Sequence, residues 1–258
     1  MVAALSTALI SGSAQAYRPF EQTDAEVAKR HIIEVELGPA EFIGVGSDYA
    51  LRAPNLTINY GFARGRELGL EGANHVALNR TPGEPRAQFE DVVIALKQVL
   101  RRGSLQDESG PSIAMENEIL FPARGEKHLG AAAGLIVSAE SRRGAAHFNI
   151  AGERLPEGRN AVSAGLIFEA SDKFGIAPAI ELKVDAIDGG LPAYSAILGL
   201  IYVPGQKTEY DLALRFARSG DEKIFEIRAG LTRQLSVHKV LEKAAAAVKL
   251  PRPRRRRH

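Results

Sequence analysis

Two stretches near the C-terminal end decide the fold: Tyr210-Asp211-Leu212-Ala213-Leu214-Arg215-Phe216-Ala217 and Phe225-Glu226-Ile227-Arg228-Ala229-Gly230-Leu231-Thr232. In the first, Tyr210, Leu212, Leu214 and Phe216 fall on one face and Asp211, Ala213, Arg215 and Ala217 on the other. In the second, Phe225, Ile227, Ala229 and Leu231 oppose Glu226, Arg228, Gly230 and Thr232. Successive side chains of a strand point to opposite faces, so each stretch has one greasy side and one charged or small side. Ser219-Gly220-Asp221-Glu222 between them is a turn, and that loop length sets Arg215 directly opposite Glu226, with Arg228 diagonal to Asp211 and Arg215.

The pattern extends backwards. From Arg30 to Val237 the chain divides into twelve segments, most of them alternating: Arg30–Val45, Asp48–Phe62, Arg66–Asn79, Arg86–Arg102, Pro111–Phe121, His128–Ser141, Ala145–Leu155, Arg159–Ala170, Phe174–Ile187, Ala193–Val203, Thr208–Arg218 and Lys223–Leu235. Strands of soluble domains usually run about 5–6 residues, whereas a tilted strand that crosses an outer membrane needs about 9–11. An even number of long alternating strands predicts an all-β, closed antiparallel transmembrane barrel, an up-and-down meander of about twelve strands, with ten or fourteen as the neighbouring counts.

Composition agrees. The hydrophobic fraction is 45% and the chain has no Cys; the mean hydropathy is −0.11. A barrel wall gives a soluble-looking average because only alternate residues face lipid. No stretch is long and apolar enough for a spanning helix. The net charge of +2 leaves a near-neutral body, since much of the positive charge sits at the C-terminal end, and this argues against nucleic-acid binding. Of the ten Phe and six Tyr, most fall near strand ends. Tyr60, Phe62, Phe168, Phe174, Tyr202 and Tyr210 lie toward one rim, and Phe42, Tyr49, Phe89, Phe121, Tyr194, Phe216 and Phe225 toward the other. Two aromatic belts are expected of such a barrel.

Four regions follow. Residues 1–16 read as a signal peptide, with an apolar Val2–Ile10 core and Ala14-Gln15-Ala16 at the cleavage position; the missing basic n-region suggests a start upstream of Met1. Residues 17–29 are expected to be an extended periplasmic lead-in, residues 30–237 the barrel, and residues 238–258 a disordered or short helical basic tail ending Arg254-Arg255-Arg256-Arg257-His258. With a periplasmic N-terminus, the turns after even-numbered strands are periplasmic; Gly103–Gly110 is the long one among them. No inward-folding loop is expected to constrict the lumen. Pro178, inside the ninth strand, should force a β-bulge.

Short motifs carry a resemblance. Thr23-Asp24-Ala25, Tyr60-Gly61-Phe62-Ala63-Arg64-Gly65-Arg66-Glu67-Leu68, Asp91 followed by Lys97, Phe121-Pro122-Ala123 and Phe148-Asn149 are similar to patterns of the bacterial outer-membrane barrel family labelled phenol-degradation meta-pathway proteins. The resemblance spans most of residues 20–235. It implies a transporter-like barrel in the bacterial outer membrane, of no established substrate and without catalytic residues. Barrels of this class commonly finish on an aromatic residue; this chain runs on past its last strand instead.

The candidate functional residues are the inward-facing charges Asp91, Lys97, Glu116, Glu118, Glu181, Lys183, Asp185, Asp211, Arg215, Glu226 and Arg228, with Glu169 on the same face. They read either as a solvated wall of mutually neutralising charges or as a selective path for a polar solute. Gly165, Gly199, Ala213 and Gly230 leave room between them. The six His residues include no pair at metal-ligand spacing. A wall-embedded hydrolase would need Ser, His and an acid together; His147 shows only Asn149 nearby in sequence. No catalytic residue, metal or cofactor is therefore expected. The expected partners are outer-membrane lipids and lipopolysaccharide, the barrel-assembly machinery and a small solute. The expected function is passive permeation. The alternatives are a non-conducting structural or binding barrel and a soluble lipocalin-like β-protein.

Overall fold

In a computed structural model, residues 18–79, 86–172, 174–205 and 207–237 are described, without the side chain of Asp91. The expected signal peptide and the basic tail lie outside these residues. Twelve strands pair in chain order and close on themselves through β1 and β12. They are β1 (Ile32–Val45), β2 (Asp48–Ala63), β3 (Arg66–Ala77), β4 (Ala87–Arg101), β5 (Ser112–Leu120), β6 (Gly130–Ser141), β7 (Gly144–Arg154), β8 (Asn160–Ala170), β9 (Ile176–Ile187), β10 (Ala193–Gly205), β11 (Thr208–Ser219) and β12 (Glu222–Ser236). Every neighbour is antiparallel.

Tight hairpins fix the register. Ser219 pairs with Glu222 across Gly220-Asp221, and Gly220 takes a φ of 58°. Positive φ at the first loop residue suits the hairpin turns whose twist matches the strands. With that turn set, Arg215 stands opposite Glu226 and Ala213 opposite Arg228, the register read from the sequence.

The alternation is realised as expected. Leu198, Leu200, Leu212 and Phe216 are about half exposed on the outside, with many more like them. Left in water, each such side chain would forgo much of the roughly 1.5–3 kcal/mol its burial supplies. A band of this kind is a lipid-facing surface and excludes the soluble alternative. Aromatic pairs mark both rims: Tyr202 and Tyr210 stack 6.3 Å apart at one, and Phe42 and Tyr49 at 5.7 Å at the other.

The bulge expected at Pro178 is not there. Pro178 pairs with Leu200 in unbroken register, and the β8–β9 ladder stops one residue short of it, at Glu169 and Ala179. The proline sits at a local edge, where a missing N–H costs no ladder bond on that side. Register shifts fall at other points, among them Pro39, Pro54 and Pro204. The β1–β12 register shifts between Leu37 and Ala40, around Pro39. The β2–β3 register shifts between Arg52 and Asn55, around Pro54. Each shift reverses the phase of its strand, so Glu36 and Glu41, five residues apart, both face inward and are both buried.

The interior is filled by the segment expected to be an extended periplasmic lead-in. Residues 18–29 do not extend away from the barrel; they run inside it as a single chain. His31, in the left-handed region at φ 65°, turns the chain from this segment into β1. The turn is held by Ile32 N donating to Lys29 O at 2.9 Å and His31 N donating to Gly61 O at 2.7 Å. The reason is chemical. The segment is polar but carries one ring, Phe20, and charges of both signs, and the inner wall offers partners for each.

Candidate functional site: the occupied lumen

The inner wall gives up side-chain volume where the segment lies. A Cβ on Gly230 would collide with Arg18 and Asp211, one on Gly61 with the carbonyl oxygens of Ala28 and Lys29, one on Gly199 would come within 2.9 Å of Pro19, and one on Gly165 within 3.0 Å of Gln22. The small residues that leave room in the lumen thus leave it for the chain itself.

Glu21 sits at the centre of a cationic cage. Its Oε1 accepts from Arg228 Nη2 at 2.8 Å and lies 2.9 Å from Arg215 Nε; its Oε2 lies 3.5 Å from Lys183 Nζ. The wall completes the network: Arg215 Nη1 and Arg228 Nη2 reach the two oxygens of Glu226 at 2.7 and 2.6 Å, and Lys183 reaches Asp185 at 3.1 Å. Burial alone would raise the Glu21 carboxyl, but Arg215, Lys183 and Arg228 outweigh it and hold it well below the usual carboxylate range. Phe20, next in the chain, is buried against Ile167, Ala179, Ile197, Ile201 and Ala213. Arg18 bridges Glu41 at 2.8 Å and Asp211 at 3.2 Å and donates to Ala229 O at 2.9 Å.

Wall side chains also hold the segment's backbone. Glu181 Oε2 accepts the N–H groups of Glu21 and Gln22 at 2.9 and 3.0 Å. Asn149 donates to Thr23 O at 2.8 Å and accepts from Thr23 N at 3.4 Å. Lys97 donates to the Thr23 hydroxyl at 2.8 Å and lies 3.7 Å from Asp24. Nearer the mouth that carries the start of β1 and the end of β12, Glu67 accepts from Ala28 N. The β4–β5 loop closes over this end: Gln106 Nε2 donates to Ala25 O at 3.0 Å, and Leu105 packs on Ala25, Ala114 and Ile136.

The sequence candidates sort accordingly. Glu181, Lys183, Asp185, Arg215, Glu226 and Arg228 converge around Glu21; Asp211 serves Arg18; Lys97 serves Thr23 and Asp24, with Glu116 opposite it in register. Glu118 is buried on the inner face of β5, away from the cage. The side chain of Asp91 lies outside the described residues. The charges do not neutralise one another by number. Among the described strand residues, ten carboxylates are buried (Glu36, Glu41, Glu67, Glu116, Glu118, Glu153, Glu181, Asp185, Asp211, Glu226) against five cations (Arg52, Lys97, Lys183, Arg215, Arg228). At the other mouth the inner face turns apolar: Val93, Leu120, Leu155, Ala161 and Ile187 form one buried cluster, and Ile43, Val45, Ala217 and Ile224 another.

One constellation was not legible in the sequence. Ser138, His147 and Glu169, on β6, β7 and β8, lie in line: His147 Nδ1 is 2.8 Å from Ser138 Oγ, and its Nε2 is 3.2 Å from Glu169 Oε1. The residue types are those of a hydrolytic triad. Here the Ser138 hydroxyl is fully buried and accepts the N–H of Ala25 at 2.9 Å. It anchors the segment.

No family model and no curated protein matches the chain. Solved structures do. The COG4313 outer membrane channel from Pseudomonas putida F1 superposes with a TM-score of 0.62 at 10% identity, over 82% of this chain and 97% of that one. The KdgM porin, solved with disordered oligogalacturonate, superposes with a TM-score of 0.52 at 9% identity, over 78% and 98%. At these identities the likeness establishes the fold alone: a closed antiparallel barrel of the kind these outer-membrane proteins share.

Proposed function

We propose that the protein is a passive, non-enzymatic channel of the bacterial outer membrane for a small solute, closed in this state by its own residues 18–29. The observation that carries the proposal is the barrel's two-sided wall: an apolar band outside, and inside a charged lumen wide enough to hold one polypeptide strand. A wall built only for mechanical support would fill its interior from its own strands; this one fills it with a tethered segment. The resemblance to the family labelled phenol-degradation meta-pathway proteins, carried by the motifs around Tyr60 and Phe121, supports a transport role, and its label is not read as a substrate.

The occupied lumen gives the non-conducting barrel a specific claim as a second reading, and one pair of measurements decides. Heat-modifiable migration after detergent extraction tests the closed membrane barrel. Current through planar bilayers, for the wild type and a variant with a weakened segment, tests conduction. Discrete openings that become more frequent in the variant support the channel; a folded barrel silent in both forms leaves the non-conducting reading.

A further inference from the structure

We infer that the lumen is a binding site for short peptides carrying an aromatic residue followed by an acidic one, and that residues 18–24 occupy it as a tethered stand-in. The inference rests on the reading of the barrel as a solute passage and names the class of solute.

Three features carry it. The first is main-chain recognition. Glu181 takes two successive backbone N–H groups, Asn149 pairs with both the N–H and the C=O of Thr23, and Arg228 Nη1 donates to Pro19 O at 3.2 Å. All three side chains are at least nine-tenths buried, so they are fixed in place and address groups that every peptide possesses. A small solute without adjacent amides would leave the buried Glu181 Oε2 without the two donors it now has.

The second is a pair of side-chain subsites one residue apart. The pocket around Phe20 is lined by aliphatic and Ala side chains of β8 to β11 and takes a ring. The cage beside it takes a carboxylate. Lys183, Arg215 and Arg228 all reach the Glu21 carboxylate, sharing themselves with the wall carboxylates Asp185 and Glu226. Removal of the segment takes one carboxylate away from three buried cations at once, which favours the arrival of another. A mere stopper needs bulk and satisfied backbone groups; it does not need a ring pocket next to a carboxylate cage.

The third is capacity. The interior demonstrably accepts one extended chain, with glycines at 61, 165, 199 and 230 where that chain passes.

The test uses the full-length chain in detergent with fluorescein-labelled hexapeptides, read by fluorescence polarisation. One peptide is Arg-Pro-Phe-Glu-Gln-Thr and the other is the unrelated Ala-Pro-Tyr-Asp-Ala-Ala. A tethered segment competes at an effective concentration in the millimolar range, so wild type should bind both weakly. The double variant Phe20→Ser with Glu21→Gln, both outside the strands, should bind both at least tenfold more tightly. Adding Arg228→Gln should reverse that gain, with heat-modifiable migration confirming that the barrel is intact. Control peptides with Ser-Gln in place of the aromatic–acidic pair should not bind. Failure of both peptides to bind the double variant overturns the inference. Binding of the self-sequence peptide alone also overturns it, because the site then serves only its own segment. Current without peptide binding rejects the inference and keeps the channel; peptide binding by a barrel that never conducts rejects the channel and keeps the site.

Discussion

Glu21 and Arg228, 207 residues apart in the chain, meet at 2.8 Å inside the barrel. The pair joins a segment that belongs to no strand to the strand that closes the cylinder against β1. Arg228 also holds Glu226 two residues earlier on its own strand and stands opposite Glu41 of β1 in register, so the arginine that grips the segment sits on the seam where the cylinder closes.

Removing the Glu21 charge should release the segment. Breaking a buried pair by taking away one partner costs about 3–5 kcal/mol. Glu21→Gln keeps the shape and loses that interaction, so at about 3 kcal/mol the ratio of released to docked segment should rise by roughly 100-fold. Bilayer recordings should show a higher open probability for the variant at neutral pH. Phe20→Ala should act in the same direction, since truncating a buried Phe costs about 3–5 kcal/mol.

Filling the space over the segment should do the same without touching a charge. Gly61→Ala drives a methyl group into the carbonyls of Ala28 and Lys29, backbone atoms that cannot step aside. Gly152→Ala is the matched control, because nothing lies within 4 Å of its Cβ position. Trypsin should cut after Lys29 faster in Gly61→Ala than in wild type, and at the wild-type rate in Gly152→Ala.

Acidification should hold the segment in. At the mouth, burial and the neighbouring Asp24 and Glu34 charges push Glu26 up to about 7 from 4.5, against the opposing pull of Lys29 and Lys97. Between those two values the docked segment binds more protons than the released one. Docking is therefore strongest at low pH and weakens as pH rises through 7. Glu21 runs the other way: its lowered carboxyl contributes above the ordinary range and fails only as pH falls through its depressed value. Across about pH 5.5 to 8 it stays ionised and Glu26 contributes a slope of this sign. Open probability should be greater at the alkaline end of that range, and Glu26→Gln should flatten the dependence.

The open lumen should prefer cations. Ten buried carboxylates against five buried cations on the described strands give a negative interior, and lumen charge tunes selectivity. In a potassium chloride gradient, the reversal potential of Glu21→Gln channels should shift toward the potassium equilibrium value. A shift toward chloride would contradict the charge census.

The wall was legible because its signal is local. A period of two fixes which side chains share a face, and a loop of known length fixes what stands opposite, so Arg215 against Glu226 could be read off the chain. Strand ends fell within two residues of their expected places: Arg66–Asn79 was read for Arg66–Ala77. Phase changes were harder. Pro178 carried the expected bulge, yet register shifts lie at Pro39, Pro54 and several other points instead, and only the neighbouring ladders decide which proline has a hydrogen bond to lose. The contents of the lumen were not legible. Residues 18–29 have no period, and Glu21 meets partners on three strands more than 150 residues away. Ser138, His147 and Glu169 likewise come together only once β6, β7 and β8 are in register.

The greasy collar at the far mouth gives the molecule a second barrier of a different kind. Val93, Leu120, Leu155, Ala161 and Ile187 oppose ions by refusing them water, whereas the segment opposes them by standing in the way. Obstacles placed one after another contribute separate resistances. Once the near one swings clear, flow is limited by how readily the dry ring wets, and a traveller with an apolar flank crosses that ring more easily than a bare ion does.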